Sequence, residues 1–367
     1  MFIENDRISL RQIKRMLMIE IFSASSLLLP SIIVRGQTGN GLIPLFAGSI
    51  LSFAYVAFFV WIMKKMKGSY VELIRENLDK SGMFFTGVIY YIRFFINQVF
   101  LIILFGKLIQ VSVLPGYALW FIIGPILFFT FYCSINGLEG RARTLELLFP
   151  YIFIPLLIVL ILALGEIDLS RFAMTRGGEQ GNLFQSFLTT YAVFLSYRGI
   201  EFLLFLGPEA VETESKTRVA KAAYMGTFWI VLLNIIIYII TIGMFGVYST
   251  RKTWWTALKI MQAVRLPGGF VERLDILFIV FWIFSMFCVF SAYFFYGWKM
   301  LETGIPVLEK NKILVMVISL FAVFVFAYFF QNMENIIMRF YQYLMWGDFL
   351  LAFFVPLFIL QKRKMFE

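Results

Sequence analysis

Ten apolar stretches, each about 20 residues long, follow one another along the sequence and are separated by polar segments. A helix of this length crosses the hydrocarbon core of a bilayer, which is about 30 Å thick. We therefore predict an all-α integral membrane protein of about ten transmembrane helices, with residues 1–367 in a single membrane domain. The predicted helices 1 to 10 occupy residues 10–34, 42–63, 84–109, 116–135, 145–164, 183–206, 222–247, 274–298, 313–330 and 337–360.

The composition agrees with lipid as the solvent and excludes several classes of function. Hydrophobic residues make up 61% of the chain, against about 45–50% in soluble domains. The net charge of +10 is spread over short loops and forms no basic groove, so we predict no nucleic-acid partner. The chain has no histidine, no phosphate-binding glycine loop and no metalloprotease motif. We therefore predict no metal site, no cofactor and no enzymatic activity, and we assign Cys133 and Cys288 to the core.

Lysine and arginine residues are unevenly distributed between the two sets of loops. With the amino terminus inside, the inner segments carry about 20 of them and the outer segments about 10, a bias that places both termini in the cytoplasm. The inner group includes Arg141 and Arg143, assigned to the loop between predicted helices 4 and 5. The inner segment 64–82 is predicted to lie along the membrane face. The outer segment 248–272 is predicted to contain an interfacial helix anchored by tryptophans.

The central loop, residues 165–182, leaves five predicted helices on each side, in approximate repeats 9–164 and 183–361. Two halves that each contain an odd number of helices have opposite orientations in the membrane. Transporters built from such inverted repeats bind their substrates near the middle of the bilayer, at helices that are broken there. The sequence therefore directs attention to the first helix of each half, predicted helices 1 and 6.

Both of these helices contain residues that interrupt an α-helix. Predicted helix 1 carries the run Ser23-Ala24-Ser25-Ser26, and Pro30 follows four positions later. Serine side chains compete for backbone hydrogen bonds, and proline lacks the N–H that a continuous helix would use. Predicted helix 6 carries the run Leu195-Ser196-Tyr197-Arg198-Gly199 and ends at Gly207-Pro208. We predict two discontinuous helices with a polar ligand between them; the alternative is a pair of helices kinked for packing alone.

Several short motifs resemble one family of membrane proteins. They are the opening Ile8-Ser9-Leu10-Arg11-Gln12, the outer-loop run 266–275 followed by Phe281-Trp282, and the exit Gly207-Pro208-Glu209 that leads to Lys216. With its length and ten-helix plan, the chain resembles the endospore germination permeases over essentially its whole length. These are the B subunits of spore germinant receptors, a branch of the amino acid–polyamine–organocation transporters.

The resemblance implies a fold like that of the amino acid permeases. It also implies a small germinant, such as an amino acid, as ligand. The partners it implies are A-type and C-type receptor subunits, and the location is the inner membrane of the cell or spore.

Ionisable side chains within membrane helices are costly and are therefore candidate functional residues. The candidate ligand-binding set combines the runs 23–26 and 195–199 with Glu20, Arg93, Asn97, Glu201 and Ser285. Asp348, in predicted helix 10, is a further ionisable residue outside this set. We expect the residues of the candidate ligand-binding set to meet between predicted helices 1, 3, 6 and 8.

The two charges of an amino acid suggest where each end would bind. We expect its carboxylate at free N–H groups near Ser25, Ser26 and Leu27, where the second half of predicted helix 1 begins. Its ammonium would suit carbonyl groups at the break in predicted helix 6, or the carboxylate of Glu20.

An alternative interpretation gives the buried acids a structural role. Glu20 or Glu201 would then pair with Arg93 or Arg198 and fix the packing of the helices, and both interpretations can hold together. Sodium coupling is not expected, because predicted helix 8 offers only Ser285 and one further serine as hydroxyl ligands.

Three functions are compatible with these observations. The first is a receptor subunit with a permease fold, which binds a small germinant and signals to its A and C subunits. The second is a true amino acid permease, which moves its substrate across the membrane and signals nothing. The third is a structural subunit with a vestigial cavity, which serves only to assemble the complex.

Overall fold

The computed structural model of the chain describes residues 8–26, 28–36, 41–66, 68–173, 183–206, 216–253, 255–264, 274–331, 347–348 and 350–362, the side chains of 24 and 274–281 excepted. Most of these residues are helical. The first seven α-helices are α1 (Leu10–Ser25), α2 (Leu29–Gly36), α3 (Leu42–Lys65), α4 (Tyr70–Asn77), α5 (Lys80–Ser112), α6 (Leu119–Ile135) and α7 (Gly137–Ala163). The others are α8 (Ser170–Ala173), α9 (Leu183–Ser196), α10 (Lys216–Arg251), α11 (Thr256–Ala263), α12 (Leu274–Gly304), α13 (Lys312–Phe330) and α14 (Leu350–Lys362).

The predicted all-α membrane architecture is confirmed. Within the described ranges, five helices are long and apolar enough to cross a bilayer: Leu42–Lys65, Lys80–Ser112, Gly137–Glu166, Lys216–Arg251 and Pro306–Phe330. Helices α6 and α14 are shorter apolar helices, and α14 covers only the last part of predicted helix 10. The count of ten spans and the inverted repeat stay predictions.

Helix α1 begins within the motif Ile8-Ser9-Leu10-Arg11-Gln12, with Ser9 as its N-cap. The Ser9 side chain accepts a hydrogen bond from the Gln12 backbone N–H at 3.3 Å, and the Gln12 side chain accepts one from the Ser9 backbone N–H at 2.9 Å. This reciprocal capping box satisfies two backbone donors that a helix amino terminus leaves unpaired. The residues Ser9 and Gln12 therefore have a local structural role.

The prediction of a loop between predicted helices 4 and 5 that contains Arg141 and Arg143 is wrong. Helix α7 begins at Gly137, directly after the end of α6, and the turn uses a positive φ of 72° at this glycine. Arg141 and Arg143 therefore lie in the first two turns of a helix. Arg143 forms an i,i+4 ion pair with Glu139 at a partly exposed site. Arg141 is fully buried, so it does not belong among the loop residues that set orientation.

Close helix contacts surround the centre of the molecule. Helix α1 packs against α7, α10 and α12, which places the residues at its carboxyl end in the protein interior. Helices α5 and α12 cross where two glycines face each other: a Cβ atom at Gly87 would lie 2.5 Å from the Met300 carbonyl oxygen and 2.8 Å from the Gly304 Cα. Such small residues let the backbones of membrane helices approach closely.

Candidate functional site

Predicted helix 1 is interrupted, as the serine run and proline indicated. Helix α1 ends at Ser25, and α2 begins at Leu29. Pro30 is the second residue of α2, where its missing N–H would have had no partner within the helix. The amino-terminal end of α2, which carries the positive end of the helix dipole, therefore lies at the break.

Polar side chains from two other helices hold the end of α1. The Ser23 hydroxyl donates to the Ser285 carbonyl oxygen at 2.7 Å, and the two hydroxyl oxygens are 2.9 Å apart. The Ser26 hydroxyl donates to Asn234 Oδ1 at 2.7 Å, and Asn234 Nδ2 donates to Ser25 Oγ at 2.9 Å. Residue 24 belongs to α1, but its side chain lies outside the described part. The serines are thus tied to α12 and α10.

Asn234 is absent from the residues predicted for the site. It is buried in α10, within the apolar stretch of predicted helix 7. A lone asparagine in such a stretch was the available signal, because a buried amide in a membrane helix needs partners. The amide bridges the two serines at the break in helix 1.

Predicted helix 6 is also interrupted. Helix α9 ends at Ser196, Tyr197 has φ −88° and ψ 15°, and a 3-10 segment follows from Arg198 to Phe205. The Ser196 hydroxyl donates to the Val193 carbonyl oxygen at 2.6 Å, whereas Leu195 and Tyr197 are buried. The break lies at Tyr197, within the predicted run, and the exit at 207–208 lies outside the described residues.

The two breaks are adjacent in space. A Cβ atom added to Gly199 would lie 2.8 Å from the carbonyl oxygen of Glu20 and 3.0 Å from the amide nitrogen of Ile21. The 3-10 segment therefore packs backbone to backbone against the last turns of α1. This contact brings the candidate residues of helices 1 and 6 together, as predicted.

Glu20 forms an ion pair that the sequence analysis missed. Its Oε1 accepts a hydrogen bond from Arg141 Nη2 at 2.6 Å, and both side chains are fully buried. Arg141 Nε also donates to Ser291 Oγ at 3.3 Å. Arg141 is absent from the predicted ligand-binding set because the sequence placed it in a loop. The buried Glu20 Oε2 has no hydrogen-bond partner among the described residues, which leaves an acceptor beside the break.

A second buried network joins helix α5 and Asp348 to the 3-10 segment. Arg93 forms ion pairs with Glu201 and with Asp348. Asn97 Nδ2 donates to Asp348 Oδ1 at 3.2 Å, and Arg198 Nη1 donates to Asn97 Oδ1 at 2.5 Å. The pairing expected for Glu201 is therefore present, with Arg93 as its partner. The acid at 348, which the candidate set omitted, is an integral member of the network.

A cavity of about 1160 Å³ opens on the side of the predicted inner loops. It is lined by α4, the α6–α7 turn and the end of α12, with four acidic and four basic side chains: Glu72, Glu139, Glu302, Glu309, Arg75, Arg143, Lys299 and Lys312. Phe205 and Tyr296 also line it, and their rings stack with centroids 4.7 Å apart. The Arg141 guanidinium lies 5.0 Å from the Tyr296 ring centre, so Tyr296 contacts both the cavity and the Glu20–Arg141 ion pair.

The part of the chain that the structure describes contains no cluster of side chains typical of a metal-binding site. Within those ranges no three His, Cys, Asp or Glu side chains cluster in a way that could hold a metal ion. The buried carboxylates are paired with arginines instead. What the arrangement offers is polar groups at two helix breaks, which suits recognition of a small polar molecule.

Two solved structures have folds similar to that of this chain. One is described as the substrate-bound outward-open state of a Na+-coupled sialic acid symporter; it has a TM-score of 0.63 and 14% identity, covering 93% of this chain and 79% of that one. Another is MhsT in complex with L-phenylalanine, with a TM-score of 0.57 and 12% identity, covering 85% and 79%. At these identities the likeness concerns the fold alone. The fold is that of membrane transporters.

The family follows from the sequence. A profile described as Spore germination protein, of the Spore_permease family, matches residues 7–336, and the chain belongs to this family. Three Bacillus subtilis (strain 168) relatives are spore germination protein A2, 26% identical over 62% of this chain, YndE, 23% over 80%, and B2, 22% over 92%. The matches span 59%, 80% and 90% of those relatives, respectively. The suspected family is thereby confirmed.

Proposed function

We propose that this chain is the germinant-sensing membrane subunit of a spore germinant receptor. It binds a small molecule, an amino acid, between the breaks in helices 1 and 6. The observation that carries this proposal is the contact of Gly199 with the Glu20 backbone, because it places two helix breaks and their polar groups at one point in the protein interior. Backbone polar groups freed at membrane depth need partners, and a bound ligand supplies them.

The charges at the breaks suit a zwitterionic ligand. The amino-terminal end of α2 attracts a carboxylate, since the backbone N–H groups of a first turn point outward along the helix axis. Glu20 Oε2, buried and without a partner in the described ranges, is an acceptor for an ammonium group. The serine hydroxyls at 23, 25 and 26 already have protein partners, so they shape the site, and the backbone contacts the ligand.

Membership of the spore germination protein family supports a role in the spore. We propose that the chain resides in the inner membrane with both termini in the cytoplasm and acts with A-type and C-type subunits. Ligand binding would shift the 3-10 segment relative to α1, and the change would reach the partner subunits through the surface of the membrane domain.

A second candidate is a true amino acid permease. The cavity on the side of the predicted inner loops favours it, because Tyr296 lines this cavity and also contacts Arg141 of the buried ion pair with Glu20, so a route for release would pass this side chain. The two functions differ in whether the substrate crosses the membrane.

The experiment uses spores that lack their own germinant receptors and express the full chain with its partner subunits. A panel of amino acids, sugars and nucleosides is tested for germination, and vesicles containing the chain alone are tested for uptake of the active compound. Response without uptake supports the receptor. Uptake by the chain alone supports the permease. Assembly without response to any compound contradicts both and supports a structural subunit.

The site itself is tested with Ser26→Leu, which adds bulk beside the end of α1. We expect the half-maximal germinant concentration to rise roughly tenfold or more, since a misplaced polar contact costs about 1–3 kcal/mol. Ser112→Leu is the matched control, because its hydroxyl donates to the Leu108 carbonyl oxygen of its own helix, at the end of α5. Equal responses of the two variants, at equal amounts of protein in the membrane, would count against the site.

A further inference from the structure

The buried charges of the described chain balance without an added ion. The buried carboxylates there are Glu20, Glu201 and Asp348, and the buried guanidinium groups are those of Arg93, Arg141 and Arg198. Glu20 pairs with Arg141, and the other two acids share Arg93. The sum of these six formal charges is zero, so none of these three carboxylates requires a free cation.

Arg141 has a particular position among these groups. It is rooted in α7 and reaches between α1 and α12, where it binds Glu20 at 2.6 Å and Ser291 at 3.3 Å. The rings of Phe295 and Tyr296 lie 5.5 and 5.0 Å from its guanidinium carbon, and none of its side chain is exposed. The positive charge that joins α1 to α12 is therefore covalently part of the protein.

The other polar groups between these two helices are already bonded to each other. The Ser23 hydroxyl donates to the Ser285 carbonyl oxygen at 2.7 Å, and the two hydroxyls are in contact at 2.9 Å. A sodium ion between α1 and α12 would need several such oxygen atoms as ligands. It would also add an unbalanced positive charge in a low-dielectric interior, which is strongly unfavourable.

We propose that Arg141 is a fixed cation that takes the place of a coupling ion between α1 and α12. The site then accepts a ligand of zero net charge without Na+ or K+, in contrast to the symporter of similar fold whose description states coupling to Na+. The statement about the ligand rests on the function proposed above. The independence from cations is a property of the chain alone and is tested without a ligand.

The test measures the thermal unfolding temperature of the purified full chain in NaCl, KCl and N-methylglucamine chloride at one ionic strength. We expect the wild-type values to agree within about 1 °C. Arg141→Ala leaves Glu20 unpaired, so a small cation should bind in place of the lost guanidinium group. NaCl, or guanidinium chloride added at low millimolar concentration, should therefore raise the unfolding temperature of this variant by about 3–5 °C. In the double variant Glu20→Gln/Arg141→Ala, which has no carboxylate to neutralise, neither salt should have an effect.

Several outcomes would overturn the proposal. One is a wild-type protein that Na+ stabilises, and another is an Arg141→Ala protein that responds to the cations no more than the double variant. If neither Arg141→Ala nor the double variant folds, the wild type and Arg141→Lys, which keeps a fixed charge, still decide, because a Na+-induced shift in either contradicts the proposal. A chain that binds no germinant can still pass all these tests. Failure of the Arg141 proposal is therefore distinguishable from failure of the proposed germinant-sensing function.

Discussion

Gly199 lies directly against the main chain of Glu20. A Cβ atom at this glycine would be 2.8 Å from the Glu20 carbonyl oxygen and 2.9 Å from its carbonyl carbon. Real Cβ atoms do not approach backbone atoms so closely, and a backbone cannot move aside as a flexible side chain does. The contact between the two broken helices therefore depends on a residue without a side chain.

The first prediction concerns this contact. Gly199→Ala should lower the free energy of unfolding by about 1–3 kcal/mol, because the added methyl group forces the 3-10 segment away from α1. Differential scanning fluorimetry of the purified protein measures the loss of stability as a lower unfolding temperature. Gly124→Ala in α6 is the control: its methyl group would meet open space, and alanine favours a helix. A loss of stability in the control as large as in Gly199→Ala would contradict the prediction.

The second prediction concerns the amide that bridges the serines. Asn234→Leu removes the acceptor of Ser26 and the donor to Ser25, and should cost about 1–3 kcal/mol of stability, since a buried hydroxyl loses its partner. Thr241→Val on the same helix is the control, because its hydroxyl donates to the Ile237 carbonyl oxygen one turn earlier in its own helix. The unfolding temperature is the measurement. If both variants unfold at the same temperature, the bridge does not stabilise the break.

The third prediction concerns Glu201. Glu201→Gln removes one charge from a buried ion pair with Arg93, and breaking such a pair costs about 3–5 kcal/mol. The amount of folded protein extracted from membranes should fall severalfold. Glu139→Gln, in the partly exposed pair with Arg143, should change it little, because such pairs contribute about 0–1 kcal/mol. Normal abundance with a shifted germinant response would instead assign Glu201 to ligand recognition.

The fourth prediction concerns orientation in the membrane. Lys252→Cys lies in the predicted outer segment and Lys310→Cys in a predicted inner one; both positions are exposed. A membrane-impermeant maleimide applied to intact cells should modify the first and spare the second. Background labelling should be low, because Cys133 and Cys288 are buried. The reverse pattern would overturn the orientation and with it the argument for opposed repeats.

Local sequence was sufficient to locate the broken helices. The serine run before Pro30 and the polar run around Gly199 weaken a helix through their own backbone chemistry, which acts within a few residues. The structure interrupts the helices at these runs, after Ser25 and at Tyr197. The pairing of Glu201 with Arg93 was among the predicted alternatives, since both were already recognised as charges within helices.

The partners at longer range could not be read from the sequence. Arg141 was placed in a loop because a charged residue near the end of an apolar stretch is usually exposed. Asn234 stands alone in an apolar stretch, which marks it as a residue that needs partners, but the sequence does not identify those partners on another helix. Both act across gaps of more than 100 residues in the chain.

The sequence by itself determined that the chain is an all-helical membrane protein and where its first and sixth predicted helices break. Length and hydrophobicity decide the first point, and backbone chemistry over a few residues decides the second. The tertiary structure decided which charges neutralise each other. A buried charge in a medium of low dielectric takes whichever opposite charge the packing brings within hydrogen-bond distance. For Glu20 that is Arg141, 121 positions away on another helix.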